Sequence, residues 1–146
     1  MTAAHSTILT LNGGSSSIKF ALFDSVSLSR ILAGALSGIA QPDAGFTVRG
    51  QRESDNRSQS IELADYAAAI RILIQWIRER GEGHKLLGVG HRVVHGGPTY
   101  SDPQRLTADV LAKLRKLSPY DSEHLPQEIS LIEAFQCEFP DLPQIA

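Results

Sequence analysis

Residues 7–24, Thr7-Ile8-Leu9-Thr10-Leu11-Asn12-Gly13-Gly14-Ser15-Ser16-Ser17-Ile18-Lys19-Phe20-Ala21-Leu22-Phe23-Asp24, decide the fold. Thr7–Leu11 is a short apolar strand. Asn12–Ser17 is made of residues that turn a chain. Ile18–Asp24 resumes as a strand, with Ile18, Phe20 and Leu22 alternating against Lys19 in the two-residue period of a half-buried sheet. Two strands joined by a short polar turn predict a hairpin. Outward from it, Ile31–Ile39, broken by Gly34 and Gly38, reads as a third strand and Phe46–Arg49 as a fourth. Gly50–Ser60 is the most polar stretch and reads as an exposed turn or mobile loop.

Leu63–Arg80 predicts a helix. Leu63, Tyr66, Ala67, Ile70, Leu73, Ile74 and Ile77 recur at helical spacing, Gly81 can end it, and Trp76 falls at the edge of the core. Leu86–Val89 runs into Arg92–Val94 as one buried strand or two short pieces. A second helix fits Thr107–Leu117, with Thr107 as N-cap. A third fits Pro126–Phe139, with Pro126 near its start and Pro140 just past its end. Cys137 lies in it as packing. Gln144–Ala146 reads as the opening of another strand. The order β-β-β-α-β-α-α is that of an α/β fold, a mixed sheet with helices packed on it.

The 146 residues suffice for one domain with a core and are too few for two ordinary ones. A net charge of −2 argues against bulk attraction to nucleic acid or to an anionic membrane. The single cysteine rules out an internal disulfide and a cysteine-based metal site. No apolar run approaches the roughly 18 residues of a membrane span. Met1–Ser6 lacks the basic start of a signal peptide, so the default location is the cytoplasm.

Three clusters carry chemistry. In Asn12–Lys19, Gly13 and Gly14 let a ligand approach the main chain, and the hydroxyls and N–H groups can donate to phosphate oxygens. If the chain is extended from Ser15, then Ser15, Ser17 and Lys19 share one face. The same run also reads as a plain hairpin turn. In Gly88–Gly97, Arg92 is embedded among apolar residues, and a guanidinium there needs an anionic partner. That partner is a carboxylate or phosphate ligand, or an acidic side chain of the protein. His91 and His95 stand four apart, but their strand or loop setting argues against a metal pair. In Ser118–Pro126, Asp121 and His124 could do acid–base or orienting work, while Ser122 reads as a cap for the following helix.

Together these stretches resemble the acetokinase family. Thr10–Phe20 is similar to its opening signature, N-x-G-S-S-S-x-K, and Gly90–Gly97 to its second. Leu117–Pro119 and Phe139–Gln144 continue the likeness, and Ala40–Ser60 matches poorly. The resemblance implies an actin-like, ribonuclease H-like N-terminal domain of the acetate and sugar kinase, heat-shock-protein and actin superfamily. It implies reversible transfer of the γ-phosphoryl of ATP to acetate with Mg2+, giving acetyl phosphate and ADP, and a homodimer for the complete protein. By position, Asn12 would help hold magnesium, and Ser15, Ser17 and Lys19 would lie near the transferring phosphates. Arg92 would grip the carboxylate or phosphoryl group, and Val94 would line the pocket for the acyl methyl.

Two departures stand out. Ser118-Pro119-Tyr120-Asp121 replaces the family's A-P-L-H, so Tyr120 takes the place of a pocket leucine and Asp121 that of a histidine. This opens the question of acyl-chain length, propionate or butyrate included. Secondly, residues 1–146 would be an N-terminal domain or fragment, ending before the strand with the family's catalytic aspartate. Alone it would be inactive. A non-catalytic binding module on the same fold is the competing reading.

Overall fold

The computed structural model describes residues 5–80 and 83–146. Gly81, read above as a helix terminator, and most of the N-terminal stretch lie outside them. Seven strands form one sheet: β1 His5–Gly13, β2 Ser17–Asp24, β3 Arg30–Ser37, β4 Gly45–Gly50, β5 Arg57–Ser60, β6 His84–Arg92 and β7 Gln144–Ile145. Their order across the sheet is β5-β4-β3-β2-β1-β6-β7. The first five run antiparallel as a meander, while β6 and β7 join parallel to β1. Parallel neighbours need a crossover, and the helices provide it: α1 Tyr66–Arg80 before β6, then α2 Ala108–Leu117 and α3 Leu125–Glu138 before β7.

Alternation along the strands sets the two faces of the sheet. Leu9, Leu11, Ile18, Phe20, Leu22, Leu32, Leu36, Phe46, Val48 and Val89 point to the helix side and meet Ala69, Ile70, Leu73 and Ile74 of α1 and Leu131 and Phe135 of α3. Trp76 is packed against this core, with its ring centroid 5.0 Å from Phe20 and 5.8 Å from Phe46. Gly34 lies under the Phe20 ring, where a side chain would overlap it, so the glycine in β3 is a packing requirement rather than a break. A second cluster joins α2 to α3 through Val110, Leu111, Leu114, Leu125, Ile129 and Ile132. Among the described residues the other face of the sheet carries no helix. Its residues near the middle are small or polar: Thr10, Asn12, Lys19, Ala21, Ala33, Ala35, Thr47 and Gly90.

Several boundaries differ from the sequence reading. Gly50–Ser60 is not a loop throughout: Glu53–Asp55 makes one 3-10 turn and Arg57–Ser60 pairs with β4 as the edge strand. An edge strand exposed on both faces needs no apolar alternation. The first helix begins at Tyr66, because the Asp65 carboxylate accepts the Ala68 N–H at 2.7 Å and caps it. Thr107 caps α2 as expected, accepting from Val110 at 3.3 Å. Ser122 caps nothing; the Asp121 carboxylate instead accepts the His124 N–H at 3.3 Å at the entry to α3. Cys137 is exposed rather than packed, because it falls on the outer side of α3. The segment read as one buried strand or two pieces is a single strand, His84–Arg92, in which only Val89 and His91 are buried, and Val93 and Val94 lie beyond its end.

Candidate functional site

β1 is the central strand of the site, flanked by β2 on one side and β6 on the other. Register fixes what stands beside Asn12: Lys19 is its partner on β2, and Arg92 its partner on β6. With strands spaced about 4.8 Å apart, Lys19, Asn12 and Arg92 form a row about 10 Å wide on the helix-free face. The next row toward the start of β1 is Ala21, Thr10 and Gly90, which are small. The step from long side chains to short ones leaves a hollow of about 440 Å³, bounded by Thr10, Asn12, Lys19, Ala21, Gly90 and Arg92. Among the described residues its charged lining is Lys19 and Arg92, with no carboxylate. Both are exposed, and neither takes part in an ion pair among the described residues. Arg92 is thus not the buried charge the sequence suggested, because it ends its strand on the open face. Two cations outside any ion pair among the described residues, with an amide between them, have the chemistry to hold an anion.

The turn after Asn12 is held by its own main chain. The Gly14 N–H donates to the Ser17 carbonyl at 2.8 Å, and the Ser16 carbonyl accepts from Ile39 at 3.1 Å. Ser17 stands on the Lys19 face of β2, while Ser15 is exposed at the tip of the turn. The turn follows Asn12 directly in the chain, and none of its three serines is among the residues lining the hollow. Val94 is 47% exposed and Tyr120 82% exposed, and neither lines the hollow.

Beneath this end of the sheet, on the helix side, lie two groups that the sequence reading missed. Gly13 backs onto Tyr66: a Cβ on Gly13 would sit 2.5 Å from the Tyr66 hydroxyl oxygen. That hydroxyl is buried without a hydrogen-bond partner among the described residues. Burial first, and then the Glu128 carboxylate, push its pKa far up. Glu128 itself is only 2% exposed, and its two oxygens accept the Val94 N–H at 3.2 and 3.3 Å. Burial raises its pKa against the opposing pull of that bond. The signal in the sequence was an acidic residue standing at an apolar position of the Leu125–Ile132 helical stripe.

The histidine pair does not form a metal site. His91 is buried, with Nε2 2.8 Å from the Gln144 side-chain oxygen, while His95 is exposed and accepts from Gly97 through Nδ1. Among the described residues no three His, Cys, Asp or Glu side chains converge as a metal cage. Asn12 offers one neutral oxygen between two cations. That donor set suits a magnesium ion carried in by phosphate oxygens and its own waters, not one held by the protein alone.

Residues 7–146 match the model of the acetokinase family. The acetate kinase of Oceanobacillus iheyensis is 33% identical over 144 residues, which cover 97% of this chain and 36% of that protein. A propionate kinase structure from Francisella tularensis superposes with a TM-score of 0.85 at 32% identity, again over 97% of this chain and 36% of that one. The Porphyromonas gingivalis acetate kinase structure, at 22% identity and a TM-score of 0.81, shares the fold. The chain spans little more than a third of the length of these relatives. The expected actin-like architecture is the one observed.

Proposed function

Because the chain belongs to the acetokinase family, we propose that residues 1–146 form one wall of a phosphotransferase site that moves the γ-phosphoryl of MgATP to a short carboxylate. The carrying observation is the Lys19–Asn12–Arg92 row beside a turn rich in N–H and hydroxyl donors. Phosphoryl transfer asks a protein chiefly to align two anions and neutralise their charge. In this reading Arg92 grips the carboxylate or the phosphoryl group and Lys19 neutralises phosphate charge. Ser15 and Ser17 donate to phosphate oxygens, and Asn12 presents its amide oxygen to the magnesium of the nucleotide or to one of its waters. Val94 bounds the acyl group, with Glu128 fixing its main chain.

The partners follow as acetate or another short acid and ATP, in the cytoplasm. No helix among the described residues is long and apolar enough to cross a membrane. The Francisella relative, named a propionate kinase, supports a three-carbon acid as the second reading. The test is acyl phosphate formation from ATP, magnesium and a panel of acetate, propionate and butyrate, in a polypeptide where residues 1–146 continue into the rest of a family enzyme. Arg92→Ala lowers kcat/KM at least 100-fold, about 2.7 kcal/mol of transition-state stabilisation, with the melting temperature unchanged. Wild-type kinetics in that variant would remove Arg92 from the site. The 146-residue chain alone forms no acyl phosphate, because one wall leaves the phosphates in water, where each contact is weak.

A further inference from the structure

A second recess lies on the opposite side of the molecule, between α1 and α3. Tyr66, Ala67, Pro126 and Gln127 form one end of it, in the first turns of the two helices. The Arg78–Glu138 ion pair crosses between the helices at the other. Its volume is about 560 Å³, within the range of small-molecule sites. The walls between are apolar: Ala67, Ile70, Ile74 and Ala134.

The charges on its rim are unequal. Glu138 is engaged by Arg78, whereas Arg71 enters no ion pair among the described residues. An apolar trough with one uncommitted guanidinium is complementary to an aliphatic chain ending in a carboxylate. One residue of the trough reaches the strand that carries Asn12. The Tyr66 ring is part of its wall, and the Tyr66 hydroxyl rests against Gly13, next to Asn12.

We propose that the groove between α1 and α3 binds a medium-chain aliphatic carboxylate, with the chain on Ala67, Ile70, Ile74 and Ala134 and the carboxylate on Arg71, and that Tyr66 transmits its occupancy to Gly13. The site is separate from the hollow on the sheet and does not depend on the phosphotransfer reading.

The test is an amide NMR titration of the chain at pH 7.5 with octanoate, using 1-octanol as the uncharged control. Octanoate gives saturable shifts at Ala67, Ile70 and Ala134 below about 10 mM, and the Gly13 and Gly14 amides move on the same isotherm. Arg71→Gln weakens octanoate at least tenfold and leaves octanol binding unchanged. Ser130→Trp, at an exposed rim position that leaves the core intact, abolishes both. No saturable shift, equal binding of octanol and octanoate, or shifts at Lys19 and Arg92 in place of the groove would overturn the site. Groove shifts that follow protein concentration without octanoate would assign it to a second copy of the chain and also overturn it. A static Gly13 beside a filled groove would overturn the coupling.

Discussion

Acidification should weaken the junction of β6 and β7, and His91 makes the size of the effect calculable. The ring is 7% exposed, lies edge-on to Phe135 and meets the Gln144 side-chain oxygen through Nε2. Burial holds its pKa down at about 4, against 6.5 for an ordinary histidine, and the Gln144 bond offsets only part of that. The folded state thus keeps His91 neutral where the unfolded chain takes up a proton. Between pH 6.5 and 4 the unfolded state binds more protons, so stability falls as pH falls and levels off below pH 4. The full 2.5-unit shift corresponds to about 3.4 kcal/mol, and the part lost between pH 7.5 and pH 5 is about 2 kcal/mol. Glu128, with its raised pKa, opposes this, since it gains stability on protonation over its own window. The measurement is therefore a difference: urea unfolding of wild type and His91→Gln at both pH values, in the same buffer. Wild type should lose about 2 kcal/mol more than the variant. Parallel losses in the two proteins would show that His91 is not held neutral by burial, and the account of the β6–β7 junction would fail.

Gly13→Ala should destabilise the fold by about 1–3 kcal/mol through overlap with the Tyr66 hydroxyl. Most of that loss should vanish in a Tyr66→Phe background, read as non-additive melting temperatures. Leu28, an exposed residue at φ 57° in the β2–β3 turn, pays for a left-handed backbone with a side chain that packs little. Leu28→Gly should be stabilising or neutral, where glycine at an ordinary exposed position costs about 0.5–1 kcal/mol; a loss of that size in thermal unfolding would contradict the strain.

How much of this was legible in the sequence depends on where each residue's constraint comes from. β1, β2 and the helices α1 and α2 could be read because each buries one face, and burial on one face leaves a period in the sequence. β5 could not be read, since Arg57–Ser60 is exposed on both faces and is held only by its ladder to β4. Lys19 and Arg92 could be picked out by residue type. What made them one site was hidden: Asn12 lies between them only because β6, some 70 residues away in sequence, joins β1 in that register. Arg92 was misjudged as buried for the same reason, as its apolar neighbours Val89 and Val93 say nothing about which face the strand end turns outward. Glu128 was overlooked because a glutamate in a helix is ordinarily solvated, and only the fold reveals that Val94 comes down onto it.

The two faces of the sheet divide the work of the site. On the open face stand the groups that can meet a ligand, Lys19, Asn12 and Arg92, with no ion pair among the described residues to satisfy them. On the helix face stand the groups that fix where those side chains start from: Tyr66 beneath Gly13 and Glu128 beneath Val94. Each support has a cost, an unpartnered hydroxyl in one case and a desolvated carboxylate in the other. Neither cost is explained by packing alone, since phenylalanine and methionine would fill the same space without it. Both supports touch main chain within two residues of a side chain in the Lys19–Asn12–Arg92 row, Gly13 next to Asn12 and Val94 two beyond Arg92. If they served stability only, Tyr66→Phe and Glu128→Met would raise or preserve the melting temperature and leave phosphate-induced shifts at Asn12 and Arg92 unchanged. If they set the backbone of the site, Glu128→Met frees the Val94 amide, seen as faster hydrogen exchange, and weakens those shifts even where the protein melts at the same temperature or higher. The second outcome is the expected one, because the Glu128 carboxylate is the hydrogen-bond acceptor for the Val94 N–H; unchanged exchange at Val94, or unchanged phosphate shifts, would refute it.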